Sequence, residues 1–241
     1  MLINPFIYST ATPTPPFSNT KSIVFDGVDD YVSTGYSYDA TVTPNFSMSF
    51  WMKSTSAGAF IHPIGIKTNG GKQESSPIMM HSQKLLIQDR TGWNWGSAII
   101  NDGNWHNIIM TAAYGGNTTV GTALNIYLDG NLTPDLSSTT MDNGTNSYLD
   151  GDLFMGNFNG ASDYFPGNID EVAVWETILS SSDITAIYNS GTPQDLTSLS
   201  PVGYWRMGDG DTYPTLTDYG SGGNNGTMVN MSSSDFVADV P

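Results

Sequence analysis

Residues 45–53 read NFSMSFWMK, and this stretch decides the class of fold. Phe46, Met48, Phe50 and Met52 alternate with Ser47, Ser49 and Lys53. A strand turns successive side chains to opposite faces, so one apolar row faces inward and one polar row outward, with Trp51 as the exception. The segment reads as a half-buried strand of a β-sandwich.

Outward from it lie nine more short β-type runs: SIVF, YVST, FIHPIGI, PIMMH, KLLIQD, WHNIIMT, LNIYLDG, DLFMGNF and NIDEVAVW. Gly (26) and Pro (13), with abundant Asn, Ser and Thr, interrupt the chain every few residues, as short strands joined by tight turns require. FDGVDDY (residues 25–31) reads as a strand end with Phe25 inward, a turn at Asp26-Gly27 and a return strand through Tyr31 and Val32. WHNIIMT and LNIYLDG read as an antiparallel hairpin around the loop AAYGGNTTVGTA, and Asp129-Gly130 starts the next tight turn. One short helix is expected in SSSDITAIYNSG (residues 180–191). There Ser180 caps, Asp183 sits in the first turn, Ile184, Ile187 and Tyr188 share a face, and Gly191 terminates.

A chain of 241 residues fits one large all-β domain. Residues 1–20, with Pro5, Pro13, Pro15 and Pro16, read as an extended arm, and residues 21–241 as the sandwich. After the link TPQDLTSLSP comes a stretch with strand character at each end and a Gly/Asn-rich loop between.

Acidic residues outnumber basic ones 23 to 7, and a net charge of −16 repels a phosphate backbone, so nucleic-acid binding is disfavoured. With no Cys, disulfides, thiolate metal sites and cysteine catalysis are excluded. The N-terminal stretch shows neither a basic region nor a long apolar run, and no later segment approaches a membrane span, so no membrane insertion is expected.

Four segments taken in order resemble the laminin G-like, concanavalin A-like jelly rolls of bacterial and phage surface proteins. They are FDGVDDYV, FSMSFWMK, the pair GNWHNIIMT and LNIYLDG, and GNIDEVAVWETILSSSDITAIYNSG, covering residues 22–191. The resemblance implies an all-β jelly-roll sandwich of two antiparallel sheets with one short helix near 180–190. The segment VGYWRMGDG…DYGSGGNNGTMVN looks like the piece that precedes FDGVDDY in such domains but follows it here. Residues 201–231 are therefore expected to complete the sandwich in rearranged order, the alternative being the start of a second, truncated domain.

Retaining glucanases that resemble this fold carry their carboxylates along one strand as Glu-x-Asp-x-(x)-Glu, and no such arrangement exists here. Glu171 and Glu176, five apart in one strand, point to opposite faces, Glu74 stands alone, and no nucleophile motif replaces them. His106 beside Trp105 reads as a packed residue rather than a base. Activity as an enzyme is not expected.

Calcium is the expected cofactor, because it takes several oxygen ligands of the kind that DYGSGGNNG (residues 218–226) offers. By resemblance the ligands would be Asp218 and Asn224 with Asp170 nearby; otherwise Asp218 caps a metal-free turn. For a glycan, Trp93 and Trp95 in DRTGWNWGS, with Asn94 between them, form a stacking platform if exposed, and plug the sandwich or a subunit interface if not. FNGASDYF, with Tyr164, is a second aromatic-plus-polar loop with the same two readings. The function expected is a non-catalytic adhesion module binding a glycan or cell-surface carbohydrate. It would work as a phage virion structural or decoration protein, on the virion surface or extracellularly, in contact with other virion proteins or as a homo-oligomer. The alternatives are a bacterial lectin-like domain or a glycoside hydrolase or lyase of the same fold.

Overall fold

A computed structural model describes residues 17–39, 42–58, 60–67, 78–89, 92–113, 123–139, 151–158 and 162–241. Most of the expected arm, most of the loop AAYGGNTTVGTA, and Glu74 lie outside the described residues. The strands run in chain order as β1 (Ser22–Asp26), β2 (Tyr31–Tyr38), β3 (Asn45–Lys53), β4 (Ile61–Lys67), β5 (Ile78–His81), β6 (Lys84–Asp89), β7 (Gly92–Trp95) and β8 (Trp105–Ala113). They continue as β9 (Ala123–Leu128), β10 (Leu136–Ser138), β11 (Gly151–Met155), β12 (Pro166–Trp175), β13 (Gly203–Trp205), β14 (Thr215–Leu216), β15 (Gly226–Val229) and β16 (Phe236–Val237).

These strands form two antiparallel sheets, a jelly-roll sandwich. One has the order β10-β9-β8-β3-β12-β1-β16, with β13 also on β12; the other has the order β14-β15-β2-β11-β4-β5-β6-β7. All ten expected β-type runs are strands. Strands from residues 203–237 enter both sheets, β13 on β12, β16 on β1 and β15 on β2. Between the sheets lies one core, in which Phe25, Phe46, Met48, Phe50 and Met52 from the first sheet meet Val32, Ile64, Ile78, Leu85 and Ile87 from the second.

The strand β3 departs from its reading as half-buried. Ser47 and Ser49 are as buried as the apolar row, at 0 % and 1 % exposure, because a further layer covers the outer face of the first sheet. Helix α1 (Ser181–Tyr188) and the segment through Tyr204 pack there on Ile109, Ala173 and Trp175, and Trp51 stacks on Tyr188 with ring centroids 5.8 Å apart. The covered hydroxyls are hydrogen-bonded, as burial demands. Ser47 Oγ donates to the Thr177 carbonyl at 2.7 Å and accepts from the Leu179 amide at 3.1 Å.

Helix α1 begins at the expected cap, where Ser180 Oγ accepts from the Asp183 amide and the Asp183 carboxylate accepts from the Ser180 amide. It ends earlier than expected, at Asn189 in the left-handed conformation (φ 44°) rather than at Gly191; Asn tolerates that conformation better than most side chains. FDGVDDY also differs from its reading. Its two strands do not pair with each other: β1 pairs with β12 and β16, and β2 with β11 and β15. The turn is thus a crossover between sheets, made at Gly27 (φ 75°), where a side chain would collide with Pro166. Hairpin β8–β9 forms as read, and Asp129 and Gly130 after it both have positive φ, the primed geometry of a tight turn.

Candidate functional site

Strand β7 is the edge of the second sheet, and its residues alternate in exposure. Trp93 and Trp95 are 45 % and 46 % exposed and share the outer face. The register shows why: Trp95 lies opposite Leu86, which lies opposite Met79, whereas the neighbouring Leu85, Ile87, Ile78 and Met80 fill the core between the sheets. Leu86 and Met79, at 0 % and 6 % exposure, form a buried floor beneath the indoles.

Two further rings complete the surface. Phe60, which leads into β4, stands 5.2 Å from Trp93 and 4.6 Å from His81, and His81 stands 4.9 Å from Trp95, edge to face. Four rings linked in the order Trp93, Phe60, His81, Trp95 therefore tile one corner of the sheet. Ser82 and Gln83, both at positive φ, make the tight β5–β6 turn that sets His81 opposite Lys84. Sequence reading missed Phe60 and His81, because Ser-Gln is not a turn signal and only the pairing register brings these rings to the tryptophans.

Asn94 sits on the other face of β7, opposite Ile87, so alternation removes it from the indole surface. Tyr164 is half-buried in the loop that follows β11. That loop folds over β4: the His62 amide donates to the Asp163 carbonyl at 3.1 Å, and the Phe158 ring lies 4.8 Å from His62. A side chain at Gly65 would overlap the carbonyls of Asn157 and Phe158, which keeps this crossing glycine-dependent. No ring contact joins Tyr164 to the four-ring surface among the described residues. Burial lowers the His62 imidazole to about 3, so it is neutral beneath the loop.

Among the calcium candidates the structure brings Asp218 and Asn224 together. Asp218 Oδ2 accepts from the Asn224 amide at 2.7 Å, and Oδ1 accepts from the amides of Tyr204 at 2.8 Å and Gly220 at 2.7 Å. Asp170 has other partners: Asn19 Nδ2 donates to its Oδ2 and the Glu171 amide to its Oδ1, each at 2.9 Å. A carboxylate offers about four lone pairs, and three of those on Asp218 are already engaged. Calcium takes six to eight oxygens, carbonyls and waters among them, so an ion at Asp218 would have to displace these amides and draw further ligands from the loop. Another carboxylate group, Asp26, Asp29 and Asp30, lies within 4.8 Å in the crossover turn. It closes the turn on its own backbone, Asp26 Oδ1 accepting from Val28 and Asp30 Oδ2 from Asp26.

Glu171 and Glu176 stay apart, although a bulge between Asp170 and Ala173 breaks the simple parity of β12. Glu176 Oε1 accepts from the Tyr36 hydroxyl, whereas Glu171 is 1 % exposed, at φ 48°, accepting from the Tyr204 hydroxyl with Arg206 Nε 3.6 Å away. Burial pushes the Glu171 carboxyl up to about 7 against the pull of Tyr204 and Arg206, and burial beside Glu171 holds Asp170 well above the usual carboxylate range. His106 bridges Asp129 (2.8 Å) and Asp102 (3.2 Å), and the Asp129 hydrogen bond raises its pKa.

These layers and this pairing define a lectin-like β-sandwich. The chain belongs to the concanavalin A-like lectin/glucanases superfamily, whose laminin G-type family model matches residues 26–185. In sequence it is similar to the sushi, von Willebrand factor type A, EGF and pentraxin domain-containing protein 1 of Rattus norvegicus, 28 % identical over 165 residues. The match takes in 61 % of this chain and 4 % of the rat protein, so the chain spans only a small part of its relative. In structure it is similar to a Bacteroides ovatus protein assigned to carbohydrate binding, with TM-score 0.61, 16 % identity, and coverage of 90 % of this chain and 60 % of that one. A heptameric pentraxin of Limulus polyphemus gives TM-score 0.50 at 13 % identity, covering 73 % of this chain and 86 % of that one. At such identities the structural likeness speaks for the fold alone. Among the described residues no helix is long and apolar enough to cross a membrane.

Proposed function

We propose that the chain is a non-catalytic carbohydrate-binding module that recognises a surface glycan through Phe60, His81, Trp93 and Trp95. The observation that carries this is two indoles, 45 % and 46 % exposed, on one face of an edge strand above a buried apolar floor. Aromatic faces of this kind stack on the apolar faces of sugar rings, while nearby polar groups meet the hydroxyls. The carbohydrate binding attributed to the Bacteroides ovatus neighbour supports the reading. So does the disposition of Glu171 and Glu176, held by different partners rather than set across an open cleft.

Glycan-array binding by the full chain, lost in both Trp93→Ala and Trp95→Ala, is the expected result. An array on which the native chain binds nothing would sink the proposal.

The same reading includes display on a virion, as a decoration or fibre-associated subunit, or on another extracellular surface. The Pro-rich residues 1–16 support it, because such a stretch suits docking on a neighbour. Co-sedimentation of the chain with particles from its source tests this part, and a chain found only free in solution would remove it.

A further inference from the structure

The cationic residues are unevenly distributed. Residues 60–95, which contribute β4 to β7, hold four of the seven Lys and Arg (Lys67, Lys72, Lys84 and Arg90) but only two of the 23 acidic residues (Glu74 and Asp89). In a chain of net charge −16, this stretch of sequence is thus the basic one, and Lys84 is the cation in it whose side chain the structure places. Lys84 lies directly opposite His81 in the β5–β6 register, so both side chains leave the sheet on the aromatic face. Among the described residues no carboxylate pairs with Lys84, whereas Lys53 is matched by Asp239 and Arg206 by Glu171 and Asp209.

From the position of Lys84 on this face we infer that the aromatic surface takes an acidic oligosaccharide, its sugar ring on Trp93 and Trp95 and its carboxylate or sulfate at Lys84. The inference rests on the glycan-binding reading given above. An anion must approach against the overall negative field, but screening decides in favour of the near charges. The Debye length is about 8 Å at physiological ionic strength, so distant carboxylates are largely hidden while a contacting ammonium is not. The nearby Asp135 carboxylate is engaged by the amides of Ser97 and Ala98, just beyond the end of β7, and by the Ser97 hydroxyl. His81 Nδ1 lies 2.8 Å from Ser82 Oγ, which fixes the imidazole and leaves Nε2 as the ring's other polar atom beside the bound sugar.

The test is retention of the full chain on immobilised polygalacturonate, a heparin-type sulfated polysaccharide and a neutral galactan, with Lys84→Glu and Trp93→Ala beside the native chain. Thermal unfolding verifies that each variant is folded. The expected result is binding to one or both acidic polymers and not to the galactan, weakened about tenfold or more by Lys84→Glu and by Trp93→Ala. Equal or better binding to the neutral polymer, or acidic binding that Lys84→Glu leaves unchanged, overturns the inference while the glycan reading stands. Failure to bind any polymer, with dimerisation that Trp93→Ala abolishes, removes the glycan reading and assigns the surface to a second copy of the chain.

Discussion

The Tyr204 hydroxyl donates to Glu171 Oε2 under the cover of Arg206, so β13 is tied to the bulge of β12 by a buried carboxyl. Residues 17–21 close over this cluster. The Arg206 guanidinium lies 4.4 Å from the Phe17 ring centre and donates to the Ser18 carbonyl, and Asp209 accepts from Thr20 and Lys21.

This cluster makes stability fall as pH rises. Glu171 titrates near 7 when folded and near 4.5 when exposed, so the folded chain holds the extra proton between those values. The penalty is absent below about 4.5, grows through this window and is complete above about 7. Asp170, buried beside it, acts in the same direction. Thermal unfolding at pH 5 and pH 8 is expected to show a lower Tm at pH 8, and Glu171→Gln to reduce the difference. A higher Tm at pH 8 would contradict it.

The indoles and their floor separate binding from stability. Trp93→Ala removes a half-exposed ring and is expected to change unfolding free energy by less than about 1 kcal/mol. Leu86→Ala, directly beneath the rings at 0 % exposure, is expected to cost about 2–5 kcal/mol. Urea titrations compare the two; a Trp93→Ala loss as large as that of Leu86→Ala would mean that the rings are core.

Asp218 organises its loop through three amides, and Asp218→Ala is expected to cost on the order of 2–3 kcal/mol. Because those bonds engage both oxygens, millimolar calcium or a chelator is expected to leave Tm unchanged. A calcium-dependent rise in Tm, lost in Asp218→Ala, would show a metal displacing the amides.

His106, held between Asp129 and Asp102, is expected to titrate above 6.5 in an NMR pH series. With its folded pKa raised, its contribution is fully present below 6.5 and is lost as pH rises through the folded value. Asp129→Asn should bring the midpoint down; a native midpoint below 6.5 would contradict the geometry.

Period-two alternation and turn residues made the strands legible in the sequence, and Ser180 with Asp183 made the helix start legible. Local signals do not report what covers a face, so the serines of β3 read as exposed although the segment leading into α1 closes over Ser47. FDGVDDY failed as a hairpin for a related reason, since a Gly turn looks alike within a sheet and between sheets. At the candidate site, Trp93 and Trp95 were visible as a pair, whereas Phe60 and His81 join them only through strand pairing.

Strands β1 and β16 lie side by side, with Ile23 opposite Phe236 and the Ser22 hydroxyl donating to the Asp239 carbonyl. They occupy one lateral margin of the sandwich, while β7 touches β10 at the other. A tether leaving from either end strand would therefore hold the molecule by one flank and turn Trp93 and Trp95 outward from whatever carries it. The sandwich could be spliced into a loop of a host protein at that flank, with the margin that carries β7 on the far side.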